Sequence, residues 1–161
     1  MITIGIDNGL TGGLVAISDH RASIIGMTVM PVKGKAKGNE VDSEGVFLFL
    51  MQWPRKDITV ILETPGKHSP GVMSLCSMWD SYGAIRSILE TRGYRHHRVA
   101  PQTWQKAVLG NVEKGQTKPA ALSRARQLWP DESFLATAKS KKPHDGLIDS
   151  ALISYYGTKL K

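Results

Sequence analysis

The sequence is poor in cysteine and has no long uncharged apolar segment. Its one cysteine, Cys76, has no partner for an internal disulfide or for a thiolate zinc site, so we expect a small core residue in a reducing compartment. No uncharged apolar run approaches the roughly 20 residues that a membrane-spanning helix needs. The chain begins directly with a strand pattern, so we expect no signal peptide. These features predict a cytoplasmic protein without membrane association.

Acidic residues are fewer than basic ones. The 161 residues include 21 Lys and Arg but only 14 Asp and Glu, which gives a net charge of +7 and a pI near 9.6. Between Arg86 and Arg126 there are nine basic and two acidic residues, so a surplus equal to the whole net charge arises there. This balance favours a polyanionic partner such as nucleic acid. The length suits a single domain, 1–161, with one substantial core.

The chain opens with a strand pattern that ends in a carboxylate. Apolar residues alternate with small ones from Ile2 to Ile6, and Asp7 follows at the C-terminal tip of the predicted strand. Asn8-Gly9 supplies a turn, and strands predicted at 13–18 and 22–30 continue as an antiparallel meander. Asp7 is therefore either a turn cap or part of a metal or phosphate site.

A second carboxylate ends a second apolar strand. Residues 31–41 are rich in lysine and glycine and predict a surface loop, and a helix is predicted at 42–51. The apolar run at 58–62 is typical of a strand buried on both faces of a sheet. Because a helix crosses between them, this strand should be parallel to the first. Glu63 then lies with Asp7 at the carboxyl edge of the sheet, where ligands bind in open α/β folds, unless it only caps the next turn.

A long helix and four shorter elements complete the prediction. The long helix, 71–91, has apolar residues over more than one stripe, so we expect one side to pack on the sheet and the other to form a symmetric homodimer. The other predicted elements are a strand at 94–99 and helices at 101–110, 117–129 and 144–156.

The last predicted helix carries two acids on one face. Asp145 and Asp149 are four residues apart, about 40° around a helix, a spacing at which like charges destabilise the helix. Asp145 is equally explained as a partner of the helix dipole, whereas Asp149 has apolar neighbours and is better explained as a ligand. With Asp7 and Glu63, these acids would form an oxygen-rich cage that suits Mg²⁺ or Mn²⁺. His144 stays open as a ligand, a proton shuttle or a cap.

These acids and the basic segment together predict phosphoryl chemistry on nucleic acid. Four carboxylates suit a two-metal scheme, in which the ions lie roughly 3.5 to 4 Å apart and assist the attacking water and the leaving oxygen.

Four segments, taken in order, resemble the RuvC-type Holliday junction resolvases of the RNase H-like superfamily: IGIDNG, ILET, RVAPQTWQKAVLG and HDGLIDSALIS. The resemblance spans nearly the whole chain. It implies an α/β fold with a mixed five-stranded sheet of order 3-2-1-4-5, strand 2 antiparallel, flanked by helices. It also implies a homodimeric endonuclease that makes paired, Mg²⁺-dependent nicks in four-way junctions and other branched DNA.

The same resemblance assigns site residues by position. Asp7 and Glu63 match the family's two strand acids, Asp149 matches the last acid of the C-terminal helix, and Lys118 is similar in placement to a basic residue used near the scissile phosphate. The compact size resembles the phage-encoded branch, which implies the cytoplasm of a bacterium or a phage-infected host cell.

The chain departs from the family pattern at three places. Members usually have proline where this chain has Asn8, and their paired helix acids are usually three apart, where this chain has glycine at position 146. Asp145 is the natural substitute for the missing acid, with His144 as the other candidate. Some members carry a junction-opening aromatic shortly after the second acid, where this chain reads Pro-Gly-Lys-His at 65–68.

Three other hypotheses fit parts of the pattern. A nuclease of the same superfamily acting on RNA or RNA–DNA hybrid would use the same acids. The opening glycine turn is also similar to the phosphate loop of sugar kinases and actin-like ATPases, although those proteins need two such domains and a longer chain. A non-catalytic DNA-binding relative is disfavoured, because it would have little reason to collect four carboxylates beside phosphates.

Overall fold

The computed structural model describes residues 1–35, 38–66 and 71–160. Within these ranges no helix is both long and apolar enough to span a membrane. The predicted strands and helices are present, and their ends differ from the prediction by no more than two residues. The elements are β1 Ile2–Asp7, β2 Gly13–Ser18, β3 Ser23–Val29, β4 Val32–Lys35, β5 Gly38–Val41, α1 Ser43–Leu50, β6 Ile58–Glu63, α2 Val72–Thr91, β7 His96–Val99, α3 Pro101–Leu109, α4 Thr117–Leu128 and α5 Asp145–Thr158.

One mixed sheet organises the described part of the chain. Its five strands lie in the order β3-β2-β1-β6-β7, with β2 antiparallel to both neighbours and β6 parallel to both β1 and β7. When only the strands of this sheet are counted, this is the predicted order 3-2-1-4-5, and the predicted fold class is confirmed. Because β1, β6 and β7 are parallel, their carboxyl ends meet at one edge of the sheet.

The prediction of a loop at 31–41 is wrong, because β4 and β5 pair as an antiparallel hairpin. Lys33 on β4 lies opposite Glu40 on β5, and their charged groups are 3.4 Å apart. Cross-strand pairs of opposite charge contribute to the stability of a two-stranded ribbon, and Val41 at the end of β5 is buried in the core. The segment lacks the alternation of apolar and polar residues that indicates a strand in a sequence.

The prediction for Cys76 is also wrong, since its side chain is exposed on α2. Only the C-terminal half of α2 packs on the sheet, through Tyr82, Ile85 and Leu89. In the N-terminal half Val72, Met73 and Trp79 are exposed, and Met73 is 82% exposed. The broad apolar surface predicted for this helix is thus present, but half of it is uncovered in the single chain.

The sheet separates two apolar clusters. On one face Ile4 and Ile6 of β1 pack with α1 and α2, and on the other Ile61 of β6 packs with α3, α4 and α5. Helix α5 lies directly on β1, where a Cβ atom added to Gly5 would be 2.2 Å from the carbonyl oxygen of Ser150. Glycine at position 5 is therefore what allows this helix to approach the strand so closely.

Candidate active site

Two carboxylates lie side by side at the carboxyl edge of the sheet. Asp7 is the last residue of β1 and Glu63 the last of β6. The parallel register pairs Ile6 with Leu62, so the next residue on each strand is the acid. The sequence prediction that the two strand acids share one edge is confirmed by this register.

Helix α5 brings a third carboxylate, Asp149, to the same place. Ser150, the next residue on α5, fixes the helix to the strand tip, since its Oγ lies 2.7 Å from the carbonyl oxygen of Gly13 and accepts a hydrogen bond from the Asp7 N–H at 3.3 Å. Asp7, Glu63 and Asp149 are each partly buried, and we call them the carboxylate cluster.

The pKa values of all three acids are raised above their ordinary values. Burial raises the pKa of Glu63 to about 8, with a further increase from the charges of Asp7 and Asp149. Burial, followed by the charges of Asp7 and Asp145, raises the pKa of Asp149 to about 7. Burial also raises the pKa of Asp7, although a hydrogen bond from the Gly9 N–H and the nearby His144 act in the opposite direction. The cluster therefore requires protons or a cation at neutral pH.

The fourth predicted acid lies at the rim of the site. The Asp145 carboxylate accepts a hydrogen bond from Lys118 Nζ at 2.6 Å, and both side chains are more than half exposed. This hydrogen bond and the charge of Asp145 raise the pKa of Lys118. Lys118 therefore lies at the rim of the site, where its ammonium group neutralises the charge of Asp145.

The glycine at position 146 is required by packing. A Cβ atom there would lie 2.4 Å from the carbonyl oxygen of Thr11 and 2.6 Å from the carbonyl carbon of Gly12, so an acid at this position would push α5 off the β1–β2 turn. The neighbouring His144 is the N-cap residue of α5. Its buried Nδ1 has no hydrogen-bond partner in the described ranges. Asp145 and His144 both stay candidates for a fourth ligand.

Two polar contacts to Glu63 were not foreseen from the sequence. The indole N–H of Trp104 donates a hydrogen bond to Glu63 Oε1 at 2.6 Å, and the Asn8 side-chain amide donates one to the Glu63 backbone carbonyl at 2.6 Å. A buried tryptophan N–H needs an acceptor, so the sequence could indicate that Trp104 has one. The sequence could not indicate that the acceptor is Glu63. Lys67 and His68, which follow Glu63, lie outside the described residues.

The chemistry of the cluster fits a hard divalent cation. Carboxylate oxygens are the donors that Mg²⁺ and Mn²⁺ prefer, and a bound ion would favour the charged form of the acids, which burial disfavours. The side-chain oxygen of Asn8 is also buried without a partner among the described residues. In those same residues no group of three or more His, Cys, Asp or Glu side chains is preformed as a metal cage. Asp7, Glu63 and Asp149 are the residues that would hold an ion.

The sheet order, with α5 packed across its central strand, is that of the RNase H-like fold. Among solved structures, the chain is similar to Thermus thermophilus RuvC in complex with a Holliday junction substrate, with a TM-score of 0.63, 17% identity, and coverage of 99% of this chain and 96% of that one. A second structure of Thermus thermophilus RuvC gives a TM-score of 0.56 and 15% identity at the same coverage. No protein-family model matches the sequence, and comparison with curated proteins finds no match. At these identities the likeness establishes the fold.

Proposed function

We propose that this chain is a Mg²⁺-dependent endodeoxyribonuclease that resolves four-way junctions and other branched DNA by phosphodiester hydrolysis. The observation that carries the proposal is the cluster of three carboxylates with raised pKa values at the carboxyl edge of the sheet. The shared fold with a RuvC structure that contains a Holliday junction supports the choice of substrate. We assign the activity to a single domain, 1–161, of a phage-encoded type, in the cytoplasm of a bacterium or an infected host cell.

In this proposal each residue of the site has a distinct task. Asp7, Glu63 and Asp149 hold two divalent ions, Mg²⁺ or Mn²⁺, and Asp145 or His144 completes the ligand set. When bound, such ions neutralise charge on the scissile phosphate and activate the attacking water. The three carboxylates also repel the phosphate backbone while no cation is present, so binding of metal and of substrate should support each other.

Lys118 is proposed to contact a phosphate beside the scissile bond. In the free protein its ammonium group pairs with Asp145 at 2.6 Å, and exposed pairs of this kind contribute little stability. A phosphate can therefore draw Lys118 away from Asp145 at small cost. This exchange would free the Asp145 carboxylate at the moment when DNA arrives.

Lys118→Gln is expected to weaken junction binding and to reduce its salt dependence, because one phosphate contact is lost. The slope of log K against log salt should fall by about one, and cleavage should slow. Lys33→Gln is the matched control, since Lys33 pairs with Glu40 on the β4–β5 hairpin. Fluorescence anisotropy at several salt concentrations measures the slope. Unchanged cleavage together with an unchanged slope would rule out the phosphate contact.

The uncovered half of α2 supports a homodimer that makes the paired nicks. Its exposed apolar side chains include Val72 at 77%, Met73 at 82% and Trp79 at 50%, and Cys76 lies among them. Large exposed apolar side chains grouped on one helix are typical of interaction surfaces. A two-fold dimer would cover this surface on both copies at once.

Met73→Glu is expected to shift the protein to monomer and to uncouple the paired nicks, because it places a charge within the proposed interface. Ile25→Glu is the control, since Ile25 is 42% exposed on the edge strand β3. Sedimentation at micromolar protein, with and without junction, measures the oligomeric state. A wild-type protein that stays monomeric in both conditions would contradict the dimer.

A panel of labelled substrates tests the proposed function directly. It comprises a four-way junction, a replication fork, a duplex, a single strand and an RNA–DNA hybrid, each with Mg²⁺ and with Mn²⁺. We expect paired cleavage of the junction. Activity confined to the hybrid would favour the RNA-directed alternative, and ATP hydrolysis without cleavage would favour the kinase-like one. Asp7→Asn protein purified in parallel controls for contaminating nucleases.

A further inference from the structure

Glu63 is held at two points by residues outside the carboxylate cluster. Trp104 donates to its carboxylate oxygen Oε1, and Asn8 donates to its backbone carbonyl oxygen, each at 2.6 Å. Both donors are buried, with exposed fractions of 0% for Trp104 and 2% for Asn8. The indole of Trp104 has no acceptor with which to bind a cation, and Asn8 makes this contact through its amide N–H, not through its side-chain oxygen. Their contacts therefore act on the position of Glu63.

The contact from Trp104 restricts the carboxylate itself. An indole nitrogen is a donor only, so its N–H needs an acceptor wherever it is buried. The ring packs in the apolar cluster between the sheet and α3, α4 and α5, and close packing of this kind fixes the direction of the N–H. Glu63 Oε1 is therefore committed to Trp104, and the other carboxylate oxygen is left to take a further partner.

The contact from Asn8 restricts the backbone that carries the carboxylate. Asn8 follows Asp7 directly, and its side-chain amide reaches from the end of β1 to the end of β6. Asp7 and Glu63 are thus tied together beyond the last pair of the strand register, Ile6 with Leu62. Loss of this bond would free the strand tips at the point where the acids project.

We propose that Trp104 and Asn8 are positioning residues that hold Glu63 ready for the divalent ion and thereby set the affinity of the site for metal. The inference rests on the proposed function, because it takes the carboxylate cluster to be a metal site. Residues that orient a ligand from outside the coordination shell typically change metal affinity or activity by about 10- to 100-fold when replaced.

Trp104→Phe removes the N–H and keeps an aromatic ring, and Asn8→Ala removes the second donor. We expect both variants to bind Mn²⁺ about 10- to 100-fold more weakly, measured on DNA-free protein by the electron paramagnetic resonance signal of free Mn²⁺. Trp129→Phe is the matched control, because Trp129 is 6% exposed in the same apolar cluster and donates to the Ala22 carbonyl at 2.6 Å. It should lose as much folding stability as Trp104→Phe and bind Mn²⁺ as the wild type does.

The outcomes separate this inference from the function on which it rests. If Trp104→Phe and Asn8→Ala both bind Mn²⁺ as tightly as Trp129→Phe, the positioning role is overturned while the metal site stands. If Trp104→Phe does not fold, Asn8→Ala alone decides, and wild-type affinity in that variant overturns the inference. If the wild-type protein binds no Mn²⁺, the metal site and the inference fail together.

Discussion

Asp7→Asn is expected to retain junction binding in EDTA and to slow junction cleavage at least about a hundredfold in Mg²⁺. The amide has the shape of the carboxylate but lacks its charge, so it binds a hard cation poorly. Metal ions supply several kcal/mol of charge stabilisation in phosphoryl transfer, and about 1.4 kcal/mol corresponds to a tenfold change in rate. If the substitution raises the activation barrier by two such steps of about 1.4 kcal/mol, the cleavage rate falls about a hundredfold. DNA binding survives because it depends on the basic residues.

The measurement is single-turnover cleavage of a labelled four-way junction with protein in excess, alongside gel shift in EDTA. Glu63→Gln should give the same result, because both strand acids are proposed to hold the ions. Glu44→Gln is the charge-matched control, since Glu44 is exposed in the first turn of α1 and should cleave as the wild type does. Appreciable turnover by pure Asp7→Asn or Glu63→Gln would refute the metal assignment.

The pairing of the two strand acids could be predicted from the sequence, because it depends on local patterns and one topological rule. The alternation of apolar and small residues predicted β1, and the continuous apolar run predicted β6. The helix that crosses between them predicted that the two strands are parallel. The register then follows from burial of the apolar residues, and it places Asp7 beside Glu63. Few other arrangements satisfy all of these constraints at once.

The depth of each helix acid could not be predicted in this way. The spacing of Asp145 and Asp149 places both on one face of α5, but it says nothing of how far each lies from solvent. Asp149 is partly buried beside the strand tips, whereas Asp145 begins the helix at the surface and pairs with Lys118. That partner is 27 residues away in the sequence. No periodicity within the helix could have indicated it.

The contacts of Trp104 and Asn8 could not be predicted from the sequence either. Both side chains gave only core or turn signals in the sequence, because their hydrogen bonds join segments that are distant along the chain. The prediction that Cys76 is buried was wrong for a different reason. The lack of a partner for its thiol predicted a core residue, but Cys76 lies in the N-terminal half of α2, where Val72, Met73 and Trp79 are also exposed.

The metal-free protein is expected to lose stability as the pH rises from about 3.8 to about 8. The pKa of Glu63 rises from its ordinary value of 4.5 to about 8 on folding, and that of Asp149 rises from 3.8 to about 7. Between those limits the folded state keeps protons that the unfolded state has released, so a higher pH favours unfolding. The expected loss is on the order of a few kcal/mol.

Glu63→Gln isolates the contribution of Glu63, because it removes the ionisation whose pKa is raised to about 8. Its unfolding free energy should vary less with pH than that of the wild type and should exceed the wild-type value near pH 8. Glu44→Gln again serves as the control and should keep the wild-type slope. Urea unfolding in EDTA at several pH values measures these curves. A wild-type slope retained in Glu63→Gln would show that the cluster is not the source.

Mg²⁺ is expected to reverse this loss, and to do so in a pH-dependent way. Near pH 5 the carboxylates of the cluster hold protons that must leave before an ion binds, so Mg²⁺ should stabilise the protein little. Near pH 8 the cluster has released many of these protons and binds the ion more tightly, and binding to the folded state alone raises stability by mass action. Repeating the urea series with Mg²⁺ gives the difference directly. Equal stabilisation at both pH values would place the bound ion away from Asp7, Glu63 and Asp149.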